Sequence, residues 1–505
     1  MVIKQVKKQL PLILFLAIYL LFALFYYKDY GITYDEQRTY WRGKQLYNEI
    51  TTNDERLQKN FILKSETKDQ TLLLYPSYYS ALLYSLNKKE NFQVYHLLNF
   101  LFVSIIFIFI YQGLLTTFKK PLLAILGPIF LIATPRFFGH IAANPKDVPF
   151  AVMYFLSLLF IYFSSHWINT KRILFLGIFF GLTVSLRFVG YSIILVYLFY
   201  RLFLEENNIP LYEKIWTTIF EIILIFLISF LINILTLPYL GVNPLGNFIK
   251  LFLTAKQYPW NGDVLFIGKR YWLENDKLPW YYLPVWILFT TPIYILVLSF
   301  VGFFNSFKSN LSKIVVASLI INLTIYFVTK PIIYDGFRHM LYLLPQIVLL
   351  AAYGYIYLNL AVKKYVRFFV LINIILVLIS YIQLHPYQYI YFNELIGGLK
   401  GAHGKLETDY WMASNKEAAL WLRNNIAEKT KEKIKVAVCG NIFSASYFFS
   451  RNMKVVYNLE VVYNKKEADY IICNERSDFY KKINGEIIYI IKRDGVNLGY
   501  VIKTK

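Results

Sequence analysis

The chain has 505 residues, of which 57% are hydrophobic, 19% aromatic and only 17% charged. A soluble domain carries roughly 45–50% apolar residues, and one aqueous core cannot hide this much apolar surface, so lipid is the expected solvent. The formal net charge of +22 would suggest nucleic acid in a soluble chain; here much of it has a topological cause and no nucleic-acid partner is expected.

The first apolar run, Leu10 to Tyr27, follows Lys4, Lys7 and Lys8 and ends in Tyr26-Tyr27-Lys28-Asp29 without a small-residue cleavage site. It reads as a retained first span. Further runs of spanning character lie at 92–115, 121–134, 148–164, 173–187, 189–204, 215–237, 283–304, 314–329, 340–361 and 368–384, about eleven in all. Placing the N-terminus in the cytoplasm puts 1–9, 116–120, 165–172, 205–214, 305–313 and 362–367 inside. These segments hold many Lys and Arg, and their only acidic residues are Glu205, Glu206 and Glu213. That is the positive-inside pattern. The stretch 173–204 is read as two short spans rather than one re-entrant segment. The expected architecture is a polytopic α-helical membrane protein over 1–384, followed by an extracytoplasmic α/β domain over 385–505.

The outer side then receives the loops 28–91, 135–147, 238–282 and 330–339. The first carries Tyr34-Asp35-Glu36. Adjacent carboxylates near the membrane surface suit a general base, and equally a solvated charge pair. The second carries Pro135-Arg136-Phe137-Phe138-Gly139-His140 and Asn144-Pro145-Lys146-Asp147. Arg136 and Lys146 are candidates for snorkelling to the interface or for a site. Asp147 opens an apolar run and suits either a helix cap or a functional group.

Arg187, between two apolar runs, is a cation at or near membrane depth and calls for a partner or ligand. The loop 238–282 is rich in aromatics, including Tyr258, Trp260 and Trp280 to Tyr282; an interfacial belt accounts for the last three. Asn247 to Gln257 reads as an amphipathic helix lying on the membrane. Near Lys330, the stretch Tyr334-Asp335-Gly336-Phe337-Arg338-His339 places a guanidinium, the preferred fork for phosphate, on the same face. A basic interfacial anchor is the alternative there.

After His385 the composition becomes that of a soluble domain. Ser414-Asn415-Lys416-Glu417 matches a capping box and opens a helix through Leu422. Strand-like runs follow at Ile434 to Val438, Val455 to Tyr457, Tyr470 to Cys473 and Glu486 to Lys492, the last joined to Val496–Lys503 through Arg493-Asp494-Gly495, a hairpin signal. Cys439 and Cys473 each end an apolar run, and both a disulfide and buried free thiols are open. No catalytic constellation is read in this domain. A Walker motif, a dinucleotide fingerprint and a long internal repeat are all lacking from the sequence.

Five stretches, in order along the chain, resemble the GT-C superfamily of polytopic glycosyltransferases, in particular the bacterial branch of protein O-mannosyltransferases and aminoarabinose transferases (glycosyltransferase family 39). They are Thr33-Tyr34-Asp35-Glu36, ATPRFFGHIAANPKDVPFA at 133–151, LPWYYLPVWILFTTP at 278–292, DGFRHMLYLLP at 335–345, and HPYQYIYFNELIGG at 385–398 continued by ETDYWMASNKEAALWL at 407–422. The resemblance implies a polyprenyl-phosphate sugar donor and transfer on the outer face of the cell membrane. The acceptor would be a lipid, a glycan or a protein. It implies Asp35, with Glu36 beside it, as base, and Asp147 as a second acidic residue. Arg338, with His339 and Lys146, would hold the lipid phosphate, within a wider set of Arg136, His140, Arg187, Lys330 and Asp335. Tyr75-Pro76 falls where relatives carry a proline-containing segment. Some relatives use a divalent ion (Mg or Mn), for which Asp35, Glu36 and Asp147 offer oxygen ligands.

The chemistry has its own logic. A phosphate leaving group is already a stable anion and needs cations rather than a general acid, whereas an acceptor hydroxyl needs a carboxylate. A transporter or flippase of lipid-linked saccharides is the competing expectation; it would place charges deep within paired broken helices. A channel would show a filter or charged ring.

Overall fold

The computed structural model describes residues 2–52, 77–206, 209–256, 260, 262–449 and 458–504. Tyr75-Pro76, Tyr258 and the run Val455 to Tyr457 lie outside the described residues.

Each of the eleven apolar runs is helical. Among the described residues, eight helices are long and apolar enough to cross a membrane: Lys7–Tyr26, Phe92–Phe118, Asp147–His166, Asn169–Leu186, Leu211–Thr236, Asn310–Thr329, Leu343–Ala361 and Lys363–Leu384. Two more runs are bent helix pairs, Pro121–Ile132 with Pro135–Ile141 (72°) and Tyr282–Thr290 with Ile293–Phe304 (116°). Each bend falls at a Thr-Pro step, Thr134-Pro135 and Thr291-Pro292, where the proline lacks an N–H and the residue before it avoids helical angles. Phe188–Leu204 is the eleventh, apolar but short. The chain is therefore a multi-pass membrane protein, with eight candidate spans among the described residues, or up to ten if each bent pair crosses, beside the roughly eleven expected. Leu, Ile and Phe side chains lie exposed along Lys7–Tyr26, Leu211–Thr236 and Lys363–Leu384, surfaces suited to lipid and not to water.

The region 173–204 resolves as two helices. Asn169–Leu186 stops at Arg187, which is extended (φ −154°, ψ 135°), and the chain restarts at Phe188. At the far end of Asn169–Leu186, Arg172 binds Glu205 (2.6 Å) and Glu221 (3.1 Å). Arg201 pairs with the same two carboxylates, and Tyr197 donates to Glu221 at 2.7 Å. This buried network clamps three apolar helices through charges that are mutually paired, as buried charges require. Elsewhere backbones touch directly: a Cβ at Gly302 would lie 1.9 Å from the Leu350 carbonyl and one at Gly354 equally close to that of Leu298. Only glycine lets Ile293–Phe304 and Leu343–Ala361 pack this tightly.

The short loop expected at 135–147 is not a solvated loop. Residues 134 to 159 are all buried, so neither Arg136 nor Lys146 snorkels. The Pro135–Ile141 helix lies under the segment that follows the last span, and a Cβ at Gly139 would meet the Tyr389 nitrogen at 2.1 Å. Pro244–Lys256 is helical, with Leu245, Ile249 and Leu253 exposed along it, as the amphipathic reading expects.

Two β-sheets lie at the Arg187 end. Strands β1 (Asp263–Phe266) and β2 (Lys269–Trp272) form an antiparallel hairpin. The C-terminal sheet contains β3 (Ile434–Val438), β4 (Leu459–Val461), β5 (Tyr470–Asn474), β6 (Glu486–Arg493) and β7 (Val496–Lys503), in the order β4-β3-β5-β7-β6. The β3–β4 and β3–β5 pairs are parallel and the rest antiparallel. Cys439 and Cys473, at the ends of neighbouring β3 and β5, are disulfide-linked with Cα atoms 4.8 Å apart. The helix Asn415–Asn425 forms as expected, but not through a capping box. The Ser414 hydroxyl donates to Asp409 instead, and Glu417 binds Arg493 (2.7 Å) and Tyr489 (3.1 Å).

Candidate active site

The first outer-loop carboxylates point apart. The backbone N–H of Thr33 donates to Glu36 Oε2 (2.7 Å), one half of a capping box that opens the helix Tyr34–Thr52. Glu36 Oε1 meets His96 Nε2 at 2.8 Å, fully buried on both sides. Glu36 is thus held by the fold. The Thr33 hydroxyl donates to the Ala143 carbonyl (2.8 Å), which draws the first loop onto the 135–147 segment. Asp35, one residue earlier, turns the other way.

Asp147 is freed from capping duty by Asn144. The Asn144 Oδ1 accepts the N–H of Asp147 (2.9 Å) and of Lys146 (3.3 Å), while its Nδ2 donates to Asp147 Oδ2 (3.1 Å). The Asp147 carboxylate can then face Arg187, which it contacts, and Arg338 Nη1 at 3.4 Å. The same Nη1 donates to Asp35 Oδ2 at 2.6 Å, and Nη2 reaches Asp335 at 3.1 Å. Asp335 (φ 56°) and Gly336 (φ 70°) are both left-handed, a turn that folds Asp335 back onto Arg338. Asp335 also binds Arg476 of the C-terminal domain at 2.8 Å. Five separated regions therefore converge on one alternating chain of charges: Arg187, Asp147, Arg338 with Asp35, Asp335 and Arg476. All six lie at the end of the bundle that carries the C-terminal domain.

The other candidates divide. Arg136 is buried between the rings of Trp286 and Phe392 (5.3 and 5.2 Å) and donates to the Tyr391 carbonyl at 3.2 Å, so it locks the post-span segment and stands outside the charge chain. His140 is held between Asn144 (2.9 Å) and the Tyr410 hydroxyl (3.1 Å), behind Asp147. His339 packs edge-on to Tyr334, and burial followed by Arg338 pushes its imidazole well below the usual range. Lys330 is exposed at the left-handed cap of Asn310–Thr329 and does not join the cluster.

A cavity of about 350 Å³ opens beside the charges. Its apolar wall includes Val184, Phe188, Leu251, Ile325 and Ile332, and its polar end is formed by Lys146, Arg187 and His339. Arg338 does not line it; Arg338 stands one layer back, behind Asp147. Arg187 and Arg338 each retain a buried Nε–H with no acceptor, donor capacity that an anion would satisfy. Lys146 feels both Asp35 and Asp147, but burial and Arg187 push its ammonium down to about 7. Among the described residues no three His, Cys, Asp or Glu side chains converge as a metal cage; between Asp35 and Asp147 the positive charge is the Arg338 guanidinium.

Sequence reasoning missed Arg476, Glu407, Tyr410 and Asn144. Arg476 lies in the domain read as free of site residues, and only its 2.8 Å contact with Asp335 reveals it. Glu407 and Tyr410 fall within ETDYW, a stretch that carries the family resemblance but no assigned role. Asn144 precedes a proline and a lysine and is the cap that leaves Asp147 free, which the spacing Asn-x-x-Asp could have signalled.

No family model matches the chain, and no curated protein sequence does. Among solved structures, the chain is similar to ArnT from Cupriavidus metallidurans bound to undecaprenyl phosphate, over 97% of both chains with a TM-score of 0.51 and 11% sequence identity. The apo form of the same protein aligns over the same shares with a TM-score of 0.49 and 10% identity. The archaeal oligosaccharyltransferase AglB from Archaeoglobus fulgidus, in complex with an inhibitory peptide and a dolichol-phosphate, aligns over 82% of this chain and 60% of its own at a TM-score of 0.35 and 11% identity. The chain has an ArnT-like fold across nearly its whole length.

Proposed function

We propose that the protein is a membrane glycosyltransferase that moves a sugar from a polyprenyl-phosphate donor to an acceptor hydroxyl at the outer face of the membrane. The observation that carries this reading is the cavity whose wall is apolar and whose end is cationic, set against a carboxylate cluster. A polyprenyl chain suits the wall, and its phosphate suits Lys146 and the unsatisfied Nε–H of Arg187. The ArnT-like fold supports the same donor class, since the ArnT structure was obtained with undecaprenyl phosphate.

The residues divide the work as follows. Arg187 and Lys146 hold the phosphate and stabilise the charge that develops as the sugar C1–O bond to phosphorus breaks. Asp35 accepts the proton of the acceptor hydroxyl while its oxygen bonds to C1 from the opposite side. The sugar leaves with inverted configuration, and the lipid leaves as a phosphate monoester. Arg338 is a positioning residue here: it holds Asp35 and Asp147 within one guanidinium's reach. This revises the expectation that Arg338 itself binds the lipid phosphate. The basic inner loops support an outer-face location for this chemistry and for the C-terminal domain beside it. A transporter needs charges distributed along a path through the spans. Here the charge chain occupies one end, and the network of Arg172, Arg201, Glu205 and Glu221 at the opposite end is internally paired.

The test is to reconstitute purified protein in nanodiscs with polyprenyl-phosphate sugars and envelope extract, and to measure release of polyprenyl phosphate together with labelled acceptor. Release coupled to acceptor labelling is expected. Movement of the intact lipid-linked sugar across vesicle bilayers, with no bond cleaved, would instead support the transporter.

A further inference from the structure

A second cavity, of about 470 Å³, lies between the β1–β2 hairpin, the 403–410 segment and the C-terminal domain. Its volume is in the range of small-molecule sites. Tyr410, Tyr480, Leu265 and Leu406 contribute ring and apolar surface; Glu407 and Arg476 contribute polar groups. The cations around it are already matched by carboxylates. Arg270 binds Asp263 (2.5 Å) and Asp478 (2.6 Å), Lys481 binds Asp478 (3.0 Å), and Arg476 binds Asp335 (2.8 Å). An anionic ligand would have to break these pairs. Glu407 is only 8% exposed; its carboxyl meets the Gly336 backbone and the field of Arg476, but its Oε2 has no hydrogen-bond partner. Burial, more than any neighbouring charge, pushes that carboxyl up to about 8, so at neutral pH it is largely a neutral group able to donate as well as accept.

A matched-charge pocket with ring surface and one hydrogen-bonding carboxyl suits a neutral polyhydroxyl ring. Its wall also joins the charge chain of the first site, because Arg476 lines it and binds the Asp335 that binds Arg338. We propose that this pocket binds a neutral saccharide unit of the acceptor, with Glu407 hydrogen-bonding its hydroxyls. The proposal rests on the glycosyl-transfer reading for the word acceptor, but the pocket's preference for a saccharide is testable without any transfer.

The experiment is saturation-transfer difference NMR on the full-length protein in nanodiscs without polyprenyl phosphate. The probes are the methyl α-glycosides of glucose, galactose and mannose, and free N-acetylglucosamine. At least one probe is expected to bind. Its affinity should fall at least tenfold in Glu407→Ala and in His403→Trp, which fills the cavity from a position whose side chain is 42% exposed, and should be unchanged in Asp35→Asn. Binding of none of the probes overturns the proposal. So does wild-type affinity in either pocket variant that keeps the wild-type melting temperature. The transfer assay fails or succeeds independently, so saccharide binding without transfer refutes the catalytic reading alone.

Discussion

Arg338 offers the sharpest structural prediction, because one guanidinium serves three buried carboxylates. Its side chain is 3% exposed, and those of Asp35, Asp147 and Asp335 are 8%, 1% and 5% exposed. In Arg338→Ala, Asp147 keeps Arg187 and Asp335 keeps Arg476. Asp35 loses its 2.6 Å partner. Removing one member of a buried ion pair typically costs about 3–5 kcal/mol, because the remaining charge is left desolvated. The variant should lose stability on that order. Adding Asp35→Asn removes the charge that has lost this partner, so the double variant should recover part of the loss, with a coupling of about 0.5–3 kcal/mol in the cycle. Arg338→Lys should recover little, since a point charge cannot fork between Asp35 and Asp335. Equilibrium unfolding in mixed micelles measures all five proteins: wild type, Arg338→Ala, Asp35→Asn, the double variant and Arg338→Lys. Wild-type stability in Arg338→Ala, or strictly additive losses in the double variant, would refute the shared-guanidinium account.

Further predictions follow from neighbouring groups. Because burial and Arg187 push the Lys146 ammonium down to about 7, its charge is present below that pH and is lost as pH rises through it. The affinity for polyprenyl phosphate, relative to that of Lys146→Arg, should therefore fall across about pH 6 to 9; a constant ratio by titration calorimetry would remove Lys146 from the phosphate site. Glu36→Gln should lower stability by about 1–3 kcal/mol through the lost charged hydrogen bond to His96, with transfer per folded molecule unchanged. A loss of kcat beyond tenfold would return Glu36 to the catalytic set. Arg476→Ala should weaken the hold of the C-terminal domain on Asp335 and expose the 403–410 segment to hydrogen exchange; unchanged protection would show that the contact has no structural consequence.

The features legible from sequence were those set by composition and short-range pattern. All eleven apolar runs are helices, because a run of apolar residues in lipid must satisfy its backbone internally. The strands at 434–438, 470–474 and 486–503 follow from apolar runs and the Asp494-Gly495 turn. Asp35, Asp147, Arg187 and Arg338 were each singled out locally, yet their meeting could not be read, since they lie up to 303 positions apart. Two local inferences failed for the same reason. The Ser414–Glu417 box was overridden by tertiary partners, Asp409 and Arg493, while the box half that does form is at Thr33 and Glu36. The 135–147 stretch looks like a loop because it is polar, but its polar groups are satisfied inside the protein by Asn144, Tyr410 and the segment after the last span.

In the proposed reaction Asp35 is the proton acceptor beside a separately built phosphate site. The most direct measurement is the single-turnover transfer rate of Asp35→Asn, together with its affinity for undecaprenyl phosphate. The amide oxygen can still accept from Arg338, so the fold and the phosphate site should persist. The rate should fall by about 10²–10⁴, the contribution of a general base, while lipid-phosphate affinity stays at the wild-type value. Transfer at the wild-type rate, with the lipid bound as before, would contradict the assignment.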